Sequence, residues 1–234
     1  MTYLTRVAIN PQRHQARRLL TDPRAMKSAV YSSIPAASVQ ERLLWRVDHD
    51  EPHRPWLYLV SKTHPSCEHI VEQAGWPSSP DPQIVTRDYT PLLARLTTGD
   101  RYAFRLTANP TRAIKDPRAD GTVKRMRVEH RTVPAQTRWL IERAQQHGFR
   151  VVDASATQPD GTPAPDLSVH ARDRRRFNHQ SAGRATIYAV TYQGRLEVTD
   201  AEPLRAGLVN GIGRAKAYGC GLLTLAPDTP QTVM

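Results

Sequence analysis

The chain has 234 residues, of which 39% are hydrophobic and 24% charged, and its formal net charge at pH 7 is +11. This length fits one or two domains, and the charge favours a polyanionic partner such as a nucleic acid. No apolar stretch reaches the ~18 residues of a membrane-spanning helix, and no signal peptide is evident. The two cysteines make no disulfide framework, and no Cys/His cluster has zinc spacing. We therefore expect a cytoplasmic protein without a metal or other cofactor.

The first part of the chain has the pattern of a small α+β domain. Residues 2–10 alternate apolar and polar side chains, as a half-buried strand does. Asp22 and Pro23 supply an N-cap and a first-turn proline for a helix. Before it lies a basic helical segment, and after it we expect strands at 42–48, 55–62 and 84–88 and a helix at 68–74. This order is βαββαβ, the ferredoxin-like arrangement.

The second part repeats a similar order. We expect a strand at 101–108, a helix at 134–147, strands at 149–154, 167–171 and 185–198, a helix at 202–209 and a last strand at 222–225. The prediction is an α+β fold of two tandem ferredoxin-like (RRM-like) βαββαβ domains, residues 1–92 and 100–234.

Basic residues cluster in the first helical segment and in two insertions of the second domain. Solvated charge explains most single runs of this kind, but several runs with a net charge of +11 favour nucleic-acid contact. Aromatic residues are only 6% of the chain, so stacking of single-stranded RNA on a sheet fits poorly, whereas arginine loops suit a folded RNA helix. The side chains expected to contact RNA are Arg17, Arg18, Lys124, Arg125, Arg127, Arg172, Arg174, Arg175 and Arg176.

A glycine-rich run at 211–221 precedes the last strand. Glycine permits positive φ and close backbone approach, and successive N–H groups in such a loop can bind an anion. The spacing matches neither a Walker loop nor a dinucleotide loop. A tight turn is the alternative to a phosphate-binding loop. The run adds six residues to the expected RNA-binding set: Gly211, Gly213, Arg214, Lys216, Gly219 and Gly221.

This run, extended to residue 227, resembles the C-terminal glycine-rich loop of the Cas six endoribonucleases, and most of all the CasE type. The Phe-Arg-Leu-Thr-Ala-Asn-Pro segment at 104–110, together with the glycine-rich run, is the specific part of the resemblance. Other segments agree in order and spacing, so that nearly the whole chain is covered: Tyr3–Arg6, Asp22–Met26, Leu43–Val47 and Gly194–Asp200.

The resemblance implies a basic cleft between the two domains that holds the stem-loop of CRISPR repeat RNA. It also implies metal-free cleavage at the 3′ base of the hairpin and assembly with other Cascade subunits. In this reaction the ribose 2′-hydroxyl attacks the adjacent phosphate, leaving a 2′,3′-cyclic phosphate and a 5′-hydroxyl. Such chemistry needs a base, an acid and positive charge near the phosphorane. We expect a monomer when the protein is free.

The resemblance also marks a candidate catalytic helix, and there this chain departs from the family. CasE proteins usually carry a proton-transfer histidine directly after a methionine, and often a tyrosine three residues earlier. Here Lys27 and Arg24 occupy those positions. Helix geometry places them on one face with Ser28 and Tyr31, so these four form the expected catalytic group. His14, on the preceding helix, is the nearest histidine in sequence and an alternative proton-transfer group.

Three functions therefore stay open. The first is a CRISPR repeat-RNA endoribonuclease, and the second is a hairpin-binding subunit that cleaves slowly or not at all. Lysine at position 27 motivates the second, because an ammonium group stabilises negative charge but exchanges protons poorly at neutral pH. The third is a basic RNA-binding protein unrelated to CRISPR, which the matching segments disfavour.

Overall fold

The computed structural model describes residues 1–35, 41–117, 123–158, 161–179 and 183–228. Side chains at 116–117, 123–124, 178–179 and 183–184 are not part of that description. No helix in the described ranges is long and apolar enough to cross a bilayer.

The N-terminal unit has the order β1 (Tyr3–Ala8), α1 (His14–Thr21), α2 (Pro23–Tyr31), β2 (Leu44–Asp48), β3 (Trp56–Ser61), α3 (Glu68–Ala74) and β4 (Ile84–Asp88). Its four strands form one antiparallel sheet in the order β2-β3-β1-β4. Because the first and third strands are central, this is the predicted ferredoxin-like topology.

Side-chain alternation gives this sheet two buried faces. On one face Val7, Trp45 and Leu59 pack against α1, α2 and α3 in one apolar cluster. On the other, Leu44 and Val60 belong to the apolar core of the C-terminal unit. Since successive residues of a strand point to opposite faces, adjacent residues of β2 serve two different cores. The two units therefore share a core instead of meeting only at their surfaces.

A short helix α4 (Thr90–Arg95) leads into the C-terminal unit. This unit contains β5 (Arg101–Ala108), β6 (Thr111–Pro117), β7 (Val123–Glu129), α5 (Val133–Gln146), β8 (Phe149–Val151), β9 (Asp153–Thr157) and β10 (Pro163–Pro165). It continues with β11 (Leu167–His179), β12 (Gly183–Val198), α6 (Ala201–Asn210), a 3-10 turn (Lys216–Tyr218) and β13 (Leu223–Pro227).

The main C-terminal sheet has the order β11-β12-β5-β13, with β8 also paired to β12. Here β5, β12 and β13 take the places of the first, third and fourth strands of the ferredoxin-like pattern, and β8 and β11 share the second. α5 and α6 cover the sheet, with Trp139, Leu140 and Leu204 buried in its core. The β6–β7 and β9–β10 hairpins are separate two-stranded additions.

The structure corrects two details of the predicted elements. The strand expected at 167–171 continues to His179, because β11 pairs with β12 along its whole length. The basic insertion around Arg174 is thus part of a long hairpin. The link expected between the domains contains α4, whose Leu92 and Leu93 pack on the shared core. The domain bounds 1–92 and 100–234 remain our proposal.

A buried arginine joins the two sheets. Arg46 on β2 is only 2% exposed, and its guanidinium donates to both carboxylate oxygens of Asp48 at 2.6 and 2.8 Å. It also donates across the junction to the carbonyls of Arg105 (2.9 Å) and Leu222 (3.1 Å) and to the Thr224 hydroxyl (2.9 Å). A buried charge is tolerated only when it is paired and hydrogen-bonded in this way.

We expect Arg46→Ala to lower the free energy of unfolding by about 3 kcal/mol or more, since it removes the donor of buried carbonyls and leaves the largely buried Asp48 paired with Arg105 alone. Urea denaturation at pH 7 measures the change. Arg195→Ala is the control, because Arg195 pairs with Asp166 and Asp228 at the surface, where such pairs contribute about 0–1 kcal/mol. Equal losses in the two variants would contradict a junction that depends on Arg46.

Candidate functional site

The catalytic-position helix α2 begins as its sequence predicts. The Asp22 side chain accepts from the Arg24 backbone N–H at 2.8 Å, and Pro23 occupies the first turn. Met26 and Val30 are buried in the apolar cluster between the N-terminal sheet and its helices, which fixes the rotation of α2 about its axis. Arg24 and Ser28 are consequently exposed, while Lys27 and Tyr31 are half-buried on a face that meets the glycine-rich loop.

Lys27 lies between two tyrosine rings. Its Nζ is 5.6 Å from the ring centroid of Tyr31, one helical turn away, and 5.7 Å from that of Tyr218 in the glycine-rich loop. Both separations are within the range of cation–π attraction. The structure thus brings together the two most informative segments of the sequence. Sequence reasoning gave Tyr218 no role, because a contact between residues so far apart in the chain leaves no local signal.

Close packing explains the glycine at position 219. Gly219 has φ 78°, and a Cβ there would lie 2.6 Å from Trp45 Cζ3 on β2. A side chain is therefore excluded by backbone conformation and by space. At Gly213, with φ 82°, a Cβ would lie 3.2 Å from Trp139 of α5. The loop is seated between a tryptophan of each unit.

Several backbone N–H groups of the glycine-rich loop donate to carbonyls within the protein. Fewer N–H groups are therefore left to bind an anion than the sequence suggests. Ile212 N–H donates to the Gly221 carbonyl at 2.9 Å, and Gly221 N–H donates to the Thr107 carbonyl at 2.6 Å. Gly211, Gly219 and Gly221 are buried, so they shape the loop. Arg214 is exposed, and Lys216 is half-buried. Burial, and then the charge of Arg42, lower the pKa of Lys216.

The arginines of β11 divide between two faces of the strand. Arg172, Arg174 and Arg176 are exposed, and the Arg174 guanidinium lies 5.3 Å from the ring centroid of Tyr188 on β12. Arg175 points the other way: its Nε donates to Asp173 at 2.8 Å and its Nη1 to the Tyr218 carbonyl at 2.9 Å. Of the three neighbouring arginines predicted to bind RNA, Arg174 and Arg176 therefore face outward, whereas Arg175 holds the glycine-rich loop.

The remaining predicted basic residues are on other surfaces. Arg17 and Arg18 are exposed on α1, and Arg125 and Arg127 are exposed on β7. The side chain of Lys124 lies outside the described residues. His14, the alternative proton-transfer group, is exposed at the start of α1, and no described contact joins it to Lys27. The described residues hold no group of three or more His, Cys, Asp or Glu suited to a metal ion.

Comparison with known proteins shows the family of this chain. A family model described as CRISPR associated protein matches residues 2–227. The CRISPR-associated endoribonuclease Cse3 of Thermus thermophilus is 31% identical over 96% of this chain and 100% of its own length. The CRISPR system Cascade subunit CasE of Escherichia coli (strain K12) is 31% identical over 79% of this chain and 88% of its own.

A solved structure of the CRISPR endoribonuclease Cse3 bound to a 19-nucleotide RNA is similar in fold. It superimposes with a TM-score of 0.72 at 29% identity, covering 97% of this chain and 99% of that one. These matches confirm the resemblance seen in the sequence and the tandem ferredoxin-like fold. The chain therefore belongs to the family of CRISPR-associated proteins, in its Cse3/CasE branch.

Proposed function

We propose that this protein binds the stem-loop of CRISPR repeat RNA, cleaves it at the 3′ base of the hairpin and stays bound as a subunit of Cascade. The observation that carries the proposal is the contact between Lys27 of α2 and Tyr218 of the glycine-rich loop. It assembles the catalytic-position helix and the loop into one site beside the arginines of β11. The relatives named endoribonuclease and Cascade subunit support it over 96% and 79% of this chain, respectively.

The proposed reaction is metal-independent. The 2′-hydroxyl oxygen forms a bond to the adjacent phosphorus and loses its proton to a base. The bond from phosphorus to the 5′ oxygen then breaks, and that oxygen gains a proton from an acid. The Lys27 ammonium stabilises the doubly negative phosphorane. Arg24 adds positive charge, and the hydroxyls of Ser28 and Tyr31 are hydrogen-bonding groups on the same helix.

RNA binding in this proposal rests on outward-facing charge. The exposed arginines on α1, β7 and β11 are available to neutralise phosphates of an RNA helix, and a basic cleft would form between those surfaces. Arg214 and Lys216 would add charge from the glycine-rich loop. Arg175 acts differently, because it holds the loop against β11 through the Tyr218 carbonyl.

A hairpin-binding subunit with impaired cleavage is the second candidate. The observation that favours it is the Lys27 cation between two aromatic rings, at the position where the family resemblance implies a histidine. This arrangement keeps positive charge at the site but supplies no group that exchanges protons readily at neutral pH.

The first prediction from the proposed function concerns the salt dependence of hairpin binding. Hairpin affinity should fall with salt at a log–log slope of roughly −0.7 to −0.9 per neutralised phosphate. Replacing Arg172, Arg174 and Arg176 together by Ala should make the slope less steep by about 2–3 and weaken hairpin binding more than binding of an unstructured strand. Filter binding or fluorescence anisotropy at several salt concentrations measures both.

Arg175→Ala is the matched variant for this triple substitution. We expect it to change the slope by less than about 1, while lowering thermal stability because the Tyr218 carbonyl and Asp173 lose their donor. A slope near zero for the unmodified protein would contradict the electrostatic account. If the triple substitution weakens binding of the hairpin and of the unstructured strand equally, the β11 arginines contact phosphates without distinguishing the hairpin.

The second prediction concerns the proton-transfer group. Histidine has an ordinary pKa near ~6.5 and exchanges protons at neutral pH, and general acid–base catalysis is commonly worth about 10²–10⁴-fold. Lys27→His should therefore raise the single-turnover cleavage rate at least about tenfold, while hairpin affinity changes less than about threefold. Lys27→Ala should abolish residual cleavage. Gel assays of a repeat hairpin with EDTA present measure these rates.

Two results would overturn this assignment. Rapid, EDTA-resistant cleavage that Lys27→His slows would show that lysine is the evolved catalytic group. Full activity in Lys27→Ala would place proton transfer elsewhere, and His14→Ala is then the next variant to assay.

The third prediction concerns Tyr218, which we expect to position Lys27. Tyr218→Phe keeps the ring and should cleave within about threefold of the unmodified protein. Tyr218→Leu removes the cation–π contact, worth ~0.5–2 kcal/mol, and should cleave at least about threefold more slowly. The ring-current shift of the Lys27 ε-methylene protons provides a second measurement, independent of cleavage, and it should persist in the Phe variant and diminish in the Leu variant.

A further inference from the structure

A pocket of about 510 Å³ opens beside the site, between the N-terminal unit and the β11 strand. The corner between α1 and α2 lines one wall, with Leu20, Thr21 and Pro23. Trp45, Val47 and His49, at alternate positions along β2 and just beyond it, line another. Residues 173–176 of β11 complete it. The volume is within the ~300–1,000 Å³ of sites that enclose small organic ligands.

The walls of this pocket differ in polarity. Four consecutive residues of β11 line it, and because successive side chains alternate between faces, the edge of the strand runs along the pocket. β11 is the terminal strand of its sheet among the described strands, and such an edge presents backbone N–H and C=O groups that no neighbouring strand pairs. Leu20, Pro23, Val47 and the Trp45 ring form the apolar walls.

A flat ligand with apolar faces and a polar edge matches these walls, and a nucleobase has this chemistry.

The pocket is continuous with the Lys27 site. Arg175 lines the pocket and donates to the Tyr218 carbonyl, while Trp45 lines it and packs against Gly219. Pro23 precedes Lys27 by about one helical turn, or ~5.4 Å along the axis. A ligand in the pocket would therefore lie next to whatever contacts the Lys27 ammonium.

We propose that this pocket holds the unpaired nucleotide on the 3′ side of the cleaved linkage, with its base between the apolar walls and the edge of β11. The inference rests on the proposed function: cleavage at the 3′ base of a hairpin leaves paired nucleotides on the 5′ side and an unpaired one on the 3′ side. The arginines around the pocket suit the phosphate of that nucleotide. Burial, and then the charge of Arg175, lower the pKa of His49, which favours the neutral imidazole as a hydrogen-bonding group for a base.

Binding of three RNAs tests this proposal, each with a 2′-deoxy nucleotide before the cleavage position so that no cutting occurs. One hairpin ends at the cleavage position, one carries a single further nucleotide, and one carries an abasic residue in its place. The hairpin with the base should bind about fivefold or more tightly than the abasic one, as expected for stacking of one base. Equal affinities for these two RNAs would overturn the inference.

Thr21→Trp tests the location, because it adds a large side chain at the exposed mouth of the pocket. We expect the variant to lose the preference for the base. Its affinity for the hairpin that ends at the cleavage position should be unchanged. Glu72→Trp adds the same side chain to an exposed position of α3 and should keep the preference. Uniform weakening of all three RNAs by Thr21→Trp would contradict the proposal.

Photo-crosslinking locates the 3′ nucleotide in the unmodified protein. With 4-thiouridine as the 3′ nucleotide, crosslinks should map to residues 19–23, 45–49 or 173–176. Crosslinks only to 125–127 would place that nucleotide elsewhere and refute the pocket. The unmodified protein should also bind the hairpin that ends at the cleavage position more tightly than an unstructured strand. If it does not, the proposed function is refuted, and the inference with it.

Discussion

The buried guanidinium of Arg46 is the interaction on which the rest of the structure depends. A charge that is 2% exposed must be fully paired, and Asp48 on the same strand supplies only part of the pairing. Backbone and hydroxyl oxygens of the C-terminal sheet supply the remainder. The register of the two sheets is therefore tightly constrained, because a slip of either one would leave the charge without its acceptors.

The same strand positions the candidate active site through its opposite face. Trp45 follows Leu44 and precedes Arg46, so its ring points away from the shared core and meets Gly219. The glycine-rich loop is thereby held where Tyr218 reaches the Lys27 ammonium. Each unit contributes one side of this site, and neither unit alone would place a cation between two aromatic rings.

Positive charge in this protein serves two purposes that composition does not distinguish. Arg174 and Arg176 extend from β11 into solvent, where they are available to phosphates. Arg46 and Arg175 instead direct their donors to carbonyl and carboxylate oxygens within the protein. The count of 33 lysines and arginines therefore overstates the number of cations that a bound RNA would contact, and strand alternation separates the two groups on β11.

Sequence by itself determined the repeated βαββαβ order, the bounds of α3, β4 and β5, the family and the helix that carries Lys27. These depend on local periodicity, caps and motifs. The tertiary structure alone decided the contact of Lys27 with Tyr218, the inward direction of Arg175 and the extension of β11 to His179. Each of these depends on a partner far away in the chain, and local patterns carry no information about which distant side chain will pack there, since burial and pairing are set by how the two sheets meet.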